Sequence, residues 1–384
     1  MSHDLNDLRA ALPALVDEAR RRSLEFEEGR CISPDFGERL RAAGLFRLLV
    51  PQSMGGLGAT LNEWLEVGMA LAEADASTAW VSTHAAACSG LIHAIATPQF
   101  KQEFFADPGA CAAWSNLPRV KAVEEADGLR LSGSWGFASG CTLATHVGGL
   151  VVLPAQTEGG PPRLTVALAP VAQARIVTTW DPVGLAGSGS HELHFDDLLV
   201  PWHRTFAWPI STSNCDYPAA AFAPGPWFIS VCAAATHLGL ARRALDESRR
   251  ELQGKTDRAT GKPLLDHPST QRSLEAAEGL WFALRAGLRE ALAAIWASAV
   301  AGQAPSAEAR VNARVAAVTA VHQGTQVVRA AFDVAGASAV HRGGVLQRLL
   351  RESSCLIHHV SSNLVSYERA GRVRCGLEPL DFKV

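Results

Sequence analysis

Histidines at two places in the chain could carry acid–base chemistry. His84 lies in DASTAWVSTHAAACSGLIH, a segment of small and apolar residues without a charged residue after Asp75, and His358 and His359 are adjacent near the C-terminus. An imidazole with the ordinary pKa of about 6.5 can donate or accept a proton near neutral pH. A histidine on an apolar helix is more often a core residue with one hydrogen bond, so both interpretations of His84 stay open.

Two β-like stretches bring aromatic and polar side chains together. They are AAWSNLPR, with Trp114, Ser115 and Asn116, and GSWGFASGC, with Phe137, Ala138 and Ser139. An indole can stack on a flat ligand, while hydroxyl and amide groups can hydrogen-bond its polar edge. A strand end with a structural tryptophan and an ordinary turn would explain the same residues without a ligand.

Composition excludes several classes of partner and site. The formal net charge is −3 and no basic block is present, which argues against nucleic acid and anionic membranes. The eight cysteines stand singly without a CxxC pair, which argues against a metal site and a disulfide framework and for a reducing cytoplasm. We see no signal peptide, and no run reaches the roughly 18 apolar residues of a membrane helix. No GxGxxG or Walker pattern supports an NAD(P)H site.

The elements that must position these residues follow an α, β, α order. Helical periodicity dominates up to about residue 112, short β-like runs with Gly and Pro follow up to about 208, and long Ala- and Leu-rich segments return around 227–252, 268–302 and 306–335. We therefore expect three domains: an N-terminal helical domain (1–112), a middle β-domain (113–208) and a C-terminal helical bundle (209–384), with 211–226 as a connection.

The segment WDPVGLAGSGSHELHFDDLLVP, from Trp180 to Pro201, is the most distinctive of the chain. Its glycines Gly184, Gly187 and Gly189 predict tight bends close to a ligand, and the alternation after them predicts a strand that ends at the proline. The block resembles the middle-domain signature of the acyl-CoA dehydrogenase superfamily. This resemblance implies an α+β fold: an N-terminal helical domain, a middle β-barrel-like domain and a C-terminal four-helix bundle.

Other motifs resemble the flavin-dependent monooxygenase branch of that superfamily. DASTAWVSTH is similar to the branch's segment whose histidine projects into the active-site cavity, and the tail GRVRCGLEPLDFKV is similar to its ending. In many of the dehydrogenases, the position eight residues after the second arginine of a helix resembling QRLLRES carries the glutamate that abstracts the substrate's α-proton. Here that position is His359, and a register error of one residue would make it His358.

The resemblance also assigns roles to individual residues. Ser139 falls where a serine of the monooxygenases hydrogen-bonds flavin N5, Arg258 where an arginine reaches the flavin phosphates, and Gly336 in a turn (AGAS) that approaches the flavin of a neighbouring subunit. A surface position is an equal alternative for Arg258. The expected catalytic residues are His84, Asn116, Ser139 and His359. The expected cofactor-binding residues are Trp114, Ser115, Phe137, Ala138, Ser139, Arg258 and Gly336.

The implied function is that of the oxygenase component of a two-component monooxygenase. It would take reduced FAD or FMN from a separate flavin reductase, form a C4a-hydroperoxyflavin with O₂ and oxygenate a small aromatic or cyclic substrate. The alternatives are an acyl-CoA dehydrogenase, an oxygenase acting on a CoA thioester, and a flavin-free binding or scaffold protein. The resemblance further implies a homotetramer.

Overall fold

The N-terminal part of the chain is helical. The computed structural model describes residues 4–117, 119–208 and 227–377. The expected connection at 211–226 and the last residues of the C-terminal tail lie outside these described residues. The first five helices are α1 (Leu5–Gly29), α2 (Pro34–Ala42), α3 (Leu61–Ala72), α4 (Ala76–Ile95) and α5 (Pro98–Ala106).

Helix α4 is the element on which the candidate site depends. The Asp75 side chain caps its start by accepting a hydrogen bond of 2.7 Å from the backbone N–H of Thr78. Nearly every residue of α4 is buried, which agrees with its small and apolar composition. Helix α3 packs closely against α4 and needs a glycine at the contact: a Cβ atom on Gly68 of α3 would lie 2.7 Å from the Thr83 side chain of α4.

Over the residues that the structure describes, the middle part contains eight strands in two sheets. The strands are β1 (Ala112–Ser115), β2 (Lys121–Glu125), β3 (Gly128–Ala138), β4 (His146–Leu153), β5 (Arg163–Pro170), β6 (Arg175–Val177), β7 (His191–Pro201) and β8 (Thr205–Trp208). One sheet has the order β1-β4-β5-β8, with β1 parallel to β4 and the other pairs antiparallel, and the other has the antiparallel order β2-β3-β7-β6. The barrel-like part is thus built from two four-stranded sheets.

Strand β7 follows the predicted alternation for its first half. His191, Leu193 and Phe195 are buried, but Asp197 is exposed and has a φ of 52°. The pairing of β7 with β3 shifts at this point, because two residues of β7 oppose one of β3. A β-bulge of this kind moves the following side chains to the other face.

The C-terminal part returns to helices, and the predicted α, β, α order is confirmed. The helices are α6 (Trp227–Leu252), α7 (Pro268–Val300), α8 (Ala307–Ala335), α9 (Val345–Leu356) and α10 (Val365–Arg374). One apolar core lies between the two sheets and includes Trp135 and Phe195. A second, larger core joins both helical parts with the outer face of the first sheet, where Trp114 and Phe206 lie.

Candidate active site

Three aromatic side chains meet where the helical parts face each other. Trp80 and His84 lie one turn apart on α4, and their ring centroids are 4.4 Å apart. His359, which follows α9, has its ring centroid 4.9 Å from that of Trp80 and 6.4 Å from that of His84. His358 is exposed. The structure therefore brings His84 together with His359, the histidine that the register favoured.

Burial keeps both imidazoles neutral. Desolvation lowers the pKa of His84 to about 3, and the nearby His359 adds to the effect. Desolvation also lowers the pKa of His359 to about 4, with a contribution from the positive charge of Arg314. The ordinary pKa of about 6.5 that residue type alone suggests does not hold here, because a charged imidazole loses its hydration in this cluster. At pH 7 both rings act as neutral donors and acceptors.

The hydrogen bonds of His359 define which nitrogen carries its hydrogen. The backbone N–H of Ser361 donates to His359 Nδ1 over 3.2 Å, and the Ser361 hydroxyl lies 2.7 Å from the same nitrogen. A nitrogen that accepts a backbone hydrogen bond is unprotonated in the neutral ring. His359 therefore carries its hydrogen on Nε2 and can donate it.

Ser139 belongs to the same cluster through Trp80. The Trp80 indole N–H donates to Ser139 Oγ over 3.0 Å. Ser139 Oγ lies 2.7 Å from Ser190 Oγ, which lies 2.8 Å from Ser188 Oγ. Three of the expected catalytic residues, His84, Ser139 and His359, thus surround one indole.

Phe137 and Ala138 are the last two residues of β3, directly before Ser139, and they differ in exposure. The Phe137 side chain is 58% exposed and contacts the Trp180 ring edge-on, with 5.7 Å between the centroids. Its φ of 60° is unusual for a residue other than glycine. Ala138 is fully buried in the core between the sheets, so a ligand contact of its side chain is excluded in this arrangement.

The expected site residues on and after β1 are less exposed than Phe137. Trp114 is only 6% exposed and packs edge-on against Phe206, with 6.0 Å between the ring centroids. Ser115 is buried, and its hydroxyl accepts a hydrogen bond from the backbone N–H of Leu117. Asn116 is half-buried just beyond the strand. In this arrangement the Trp114 ring is part of the core, so stacking on a ligand would require the ring to move.

Arg258 and Gly336 lie on a second surface. Arg258 is exposed in the connection between α6 and α7. The Lys255 side chain of that connection donates to the Ser338 hydroxyl and so ties it to the turn that contains Gly336. Gly336 ends α8 with φ 72° and ψ −150°, a conformation available essentially to glycine alone.

Two glycines of the Trp180–Pro201 block, Gly184 and Gly187, serve for close packing, whereas Gly189 has a φ of 54° and forms a backbone bend of the kind that the sequence predicted. A Cβ atom on Gly184 would lie 2.7 Å from the Cα atom of Glu352 on α9. One on Gly187 would lie 2.9 Å from the Phe26 side chain and 3.1 Å from that of Ser77. The block thus joins the sheets to α1, α4 and α9.

Sequence reasoning did not identify Trp80, Ser188 and Ser190 as site residues. Trp80 precedes His84 by four residues, a spacing that places both side chains on one face of a helix. Both serines stand in the quoted block, directly before β7. The helical spacing could have identified Trp80, but no local signal indicates that the two serines meet Ser139.

The residues around Trp80 fit a flat heterocycle with polar edges, such as a flavin ring. His84 Nδ1 is buried and has no hydrogen-bond partner in the described ranges, and leaving such an atom unpaired costs about 1–3 kcal/mol. The exposed Phe137 ring offers an apolar surface, and the half-buried Ser139 hydroxyl offers a polar contact. A ring that stacks and also hydrogen-bonds would satisfy these groups.

The sequence matches two domain families. Residues 2–108 match "Acyl-CoA dehydrogenase, N-terminal domain", and residues 231–363 match "Acyl-CoA dehydrogenase, C-terminal domain". Over the part of the chain that the structure describes, no helix is long and apolar enough to cross a membrane, and no group of His, Cys, Asp or Glu could hold a metal ion.

Relatives that match over nearly the whole length are named as monooxygenases or hydroxylases. The chain is 31% identical to the FADH₂-dependent resorcinol hydroxylase, oxygenase component, of Rhizobium sp., over 95% of this chain and 93% of the relative. It is 28% identical to indole-3-acetate monooxygenase of Acinetobacter baumannii, over 99% and 97%. The structure of the HsaA monooxygenase from M. tuberculosis superposes with a TM-score of 0.88 at 25% identity, over 98% of this chain and 100% of that one.

Proposed function

Because this chain belongs to the acyl-CoA dehydrogenase superfamily, in its branch of flavin-dependent monooxygenases, we propose that it is an oxygenase component acting on a small aromatic substrate. Reduced FAD or FMN, delivered by a separate reductase, would supply the electrons that activate O₂. One oxygen atom would enter the substrate and the other would leave as water.

The observation that carries this proposal is the pair of neutral imidazoles around Trp80. His359 stands where many dehydrogenases of the superfamily carry a carboxylate base, but its Nδ1 accepts from the backbone of Ser361 and its Nε2 carries the hydrogen, so neither nitrogen is free to remove the α-proton of an acyl-CoA. A neutral imidazole with its hydrogen on Nε2 can instead donate a hydrogen bond to an oxygen atom or orient a substrate hydroxyl. His84 Nδ1 supplies a second polar atom in the same cluster.

Each residue of the site would have a separate role. His359 would donate to the oxygen being transferred or to the substrate, and His84 would hold the substrate from α4. Ser139 would hydrogen-bond the flavin ring, and Phe137 would cover it. We keep Asn116, Ser115, Trp114 and the Ala138 backbone as flavin or substrate contacts, and Arg258 and Gly336 as contacts to the phosphates and to a neighbouring subunit.

The substrate class follows from the relatives and from the walls of the cluster. Two relatives are named for aromatic substrates, indole-3-acetate and resorcinol. The exposed Phe137 ring offers an apolar surface to such a substrate. We further propose a cytoplasmic location, because the cysteines of the sequence suit a reducing compartment.

The test is a product assay with labelled oxygen. The purified protein is mixed with FMN or FAD, a flavin reductase and NADH under ¹⁸O₂, together with a panel of phenols and indoles that includes resorcinol and indole-3-acetate. We expect a product that gains one ¹⁸O atom and depends on reduced flavin. Reduction of bound flavin by acyl-CoA esters without any oxygenated product would instead establish a dehydrogenase.

A further inference from the structure

A chain of hydroxyl groups extends from Ser139 into the protein. It comprises Ser139, Ser190 and Ser188, with oxygen–oxygen distances of 2.7 Å and 2.8 Å. Ser188 and Ser190 are buried, whereas Ser139 is half-buried. At the Ser139 end, the chain receives a hydrogen bond from the indole N–H of Trp80. The partners of each oxygen define the direction in which the hydrogens point.

A count of hydrogens and lone pairs gives that direction. Each serine hydroxyl has one hydrogen and can accept two hydrogen bonds, and an indole N–H can only donate. In the described part of the chain, the Ser188 hydroxyl forms a hydrogen bond only with Ser190. If the hydrogens pointed from Ser139 towards Ser188, the Ser188 hydrogen would be buried without an acceptor, which is unfavourable. The direction that satisfies every buried hydrogen runs from Ser188 through Ser190 to Ser139.

With the hydrogens in this direction, Ser139 can form only one further hydrogen bond. Trp80 and Ser190 then occupy both acceptor sites of Ser139 Oγ, and only its own hydrogen is left for a ligand. We propose that Trp80 and Ser190 are positioning residues that orient the Ser139 hydroxyl as a hydrogen-bond donor to the bound flavin ring. The inference rests on the proposed function, because the acceptor it names belongs to flavin.

The proposal distinguishes the two redox states of the cofactor. The N5 atom, to which the family resemblance assigns Ser139, has a free lone pair in oxidised flavin and carries a hydrogen in reduced flavin. A donor at Ser139 therefore stabilises bound oxidised flavin more than bound reduced flavin. An acceptor at the same place would do the opposite.

The experiment measures flavin binding rather than turnover. Dissociation constants for FMN and FAD, each oxidised and dithionite-reduced, are determined for the wild type, Ser139→Ala, Ser190→Ala and Trp80→Phe. The same two positioning variants are also made in the Ser139→Ala background. Trp80→Phe keeps an aromatic ring against the histidines but removes the N–H. Ser132→Ala, at an exposed serine of β3, the strand that ends directly before Ser139, is the matched control.

We expect Ser190→Ala and Trp80→Phe to weaken the binding of oxidised flavin about three- to tenfold, the value of one hydrogen bond. Reduced flavin should be affected less, and neither substitution should add to the effect of Ser139→Ala. Effects that persist in the Ser139→Ala background, that are greater for reduced flavin or that are absent would overturn the inference. A wild-type protein that binds neither flavin in either state would instead contradict the proposed function.

Discussion

At the scale of single residues, the proposed role of His359 as a hydrogen-bond donor depends on how its ring is held. The backbone hydrogen bond to its Nδ1 fixes the tautomer, and its ring contacts the rings of both Trp80 and His84. We predict that His359→Ala lowers product formation by roughly two to four orders of magnitude, the usual contribution of one positioned acid–base group. Flavin binding should persist, which a dissociation constant checks. His358→Ala, which changes an exposed neighbour, is the matched control, and equal losses in both variants would contradict the assignment.

The lowered pKa values predict how stability depends on pH. His84 and His359 have pKa values of about 3 and about 4 in the folded protein, against about 6.5 in an unfolded chain. Between these values the unfolded chain binds protons that the folded protein does not, so the free energy of unfolding falls as the pH falls from about 6.5 to 4. Each histidine contributes at most about 1.4 kcal/mol per pH unit.

Urea unfolding of the wild type and of His359→Gln between pH 7 and pH 4.5 checks this prediction. Glutamine cannot titrate, so the variant should lose less stability as the pH falls. The same pKa values predict that turnover does not fall between pH 8 and pH 6 through protonation of either histidine. Identical pH slopes for the two proteins would show that His359 is hydrated and titrates normally in solution.

How much of the site could be read from the sequence depends on how local its determinants are. His84 could be singled out because it lies on a helix of small and apolar residues. His359 could be singled out because it stands eight residues after Arg351, the spacing at which many dehydrogenases of the superfamily carry their glutamate. The contacts of Ser139 with Trp80 and Ser190 could not be predicted, because they join residues 59 and 51 positions apart in the chain. Burial and pKa shifts likewise arise only when distant elements pack.

At the scale of elements, close helix packing depends on individual glycines. A Cβ atom on Gly239 of α6 would clash with the backbone carbonyl oxygen of Met69 on α3. We predict that Gly239→Ala destabilises the protein by about 1–3 kcal/mol through overpacking, despite the better helix propensity of alanine. Gly371→Ala on α10 is the control, because nothing lies within 4 Å of its Cβ position, and it should be neutral or stabilising. Thermal unfolding compares the two, and a stabilised Gly239→Ala would contradict the packing.

The helices themselves were predictable because periodicity is a local signal. The segments expected around 268–302 and 306–335 correspond to α7 (Pro268–Val300) and α8 (Ala307–Ala335). Strand pairing was not predictable in this way. Strand β1 pairs with β4, which is not its neighbour in the sequence. The bulge in β7 at Asp197 reverses the alternation of buried and exposed side chains, although the sequence pattern continues through Asp197. Register depends on both partners, which one strand's pattern does not reveal.

At the scale of the whole molecule, the C-terminal helices leave apolar surface uncovered. Helix α7 has 33 residues, yet its buried residues are concentrated towards its second half. Phe282 on α7 is 65% exposed, and Val300 at its end is 60% exposed. Contiguous exposed apolar patches are typical of surfaces that bind another protein. We propose that this surface belongs to the contact between copies of the chain in a homotetramer.

A homotetramer predicts a molecular mass about four times that of the 40.7 kDa chain, measured by light scattering at micromolar concentration. Replacing Phe282 with aspartate would place a charge in the contact, where desolvation without a partner is costly, so Phe282→Asp should shift the protein towards smaller species. Because the ring is largely exposed in the single chain, its removal should leave the fold intact, which far-ultraviolet circular dichroism checks. Val123→Asp, at an exposed apolar residue of β2, is the control at a different surface. A wild-type protein that is monomeric under these conditions would overturn the assembly.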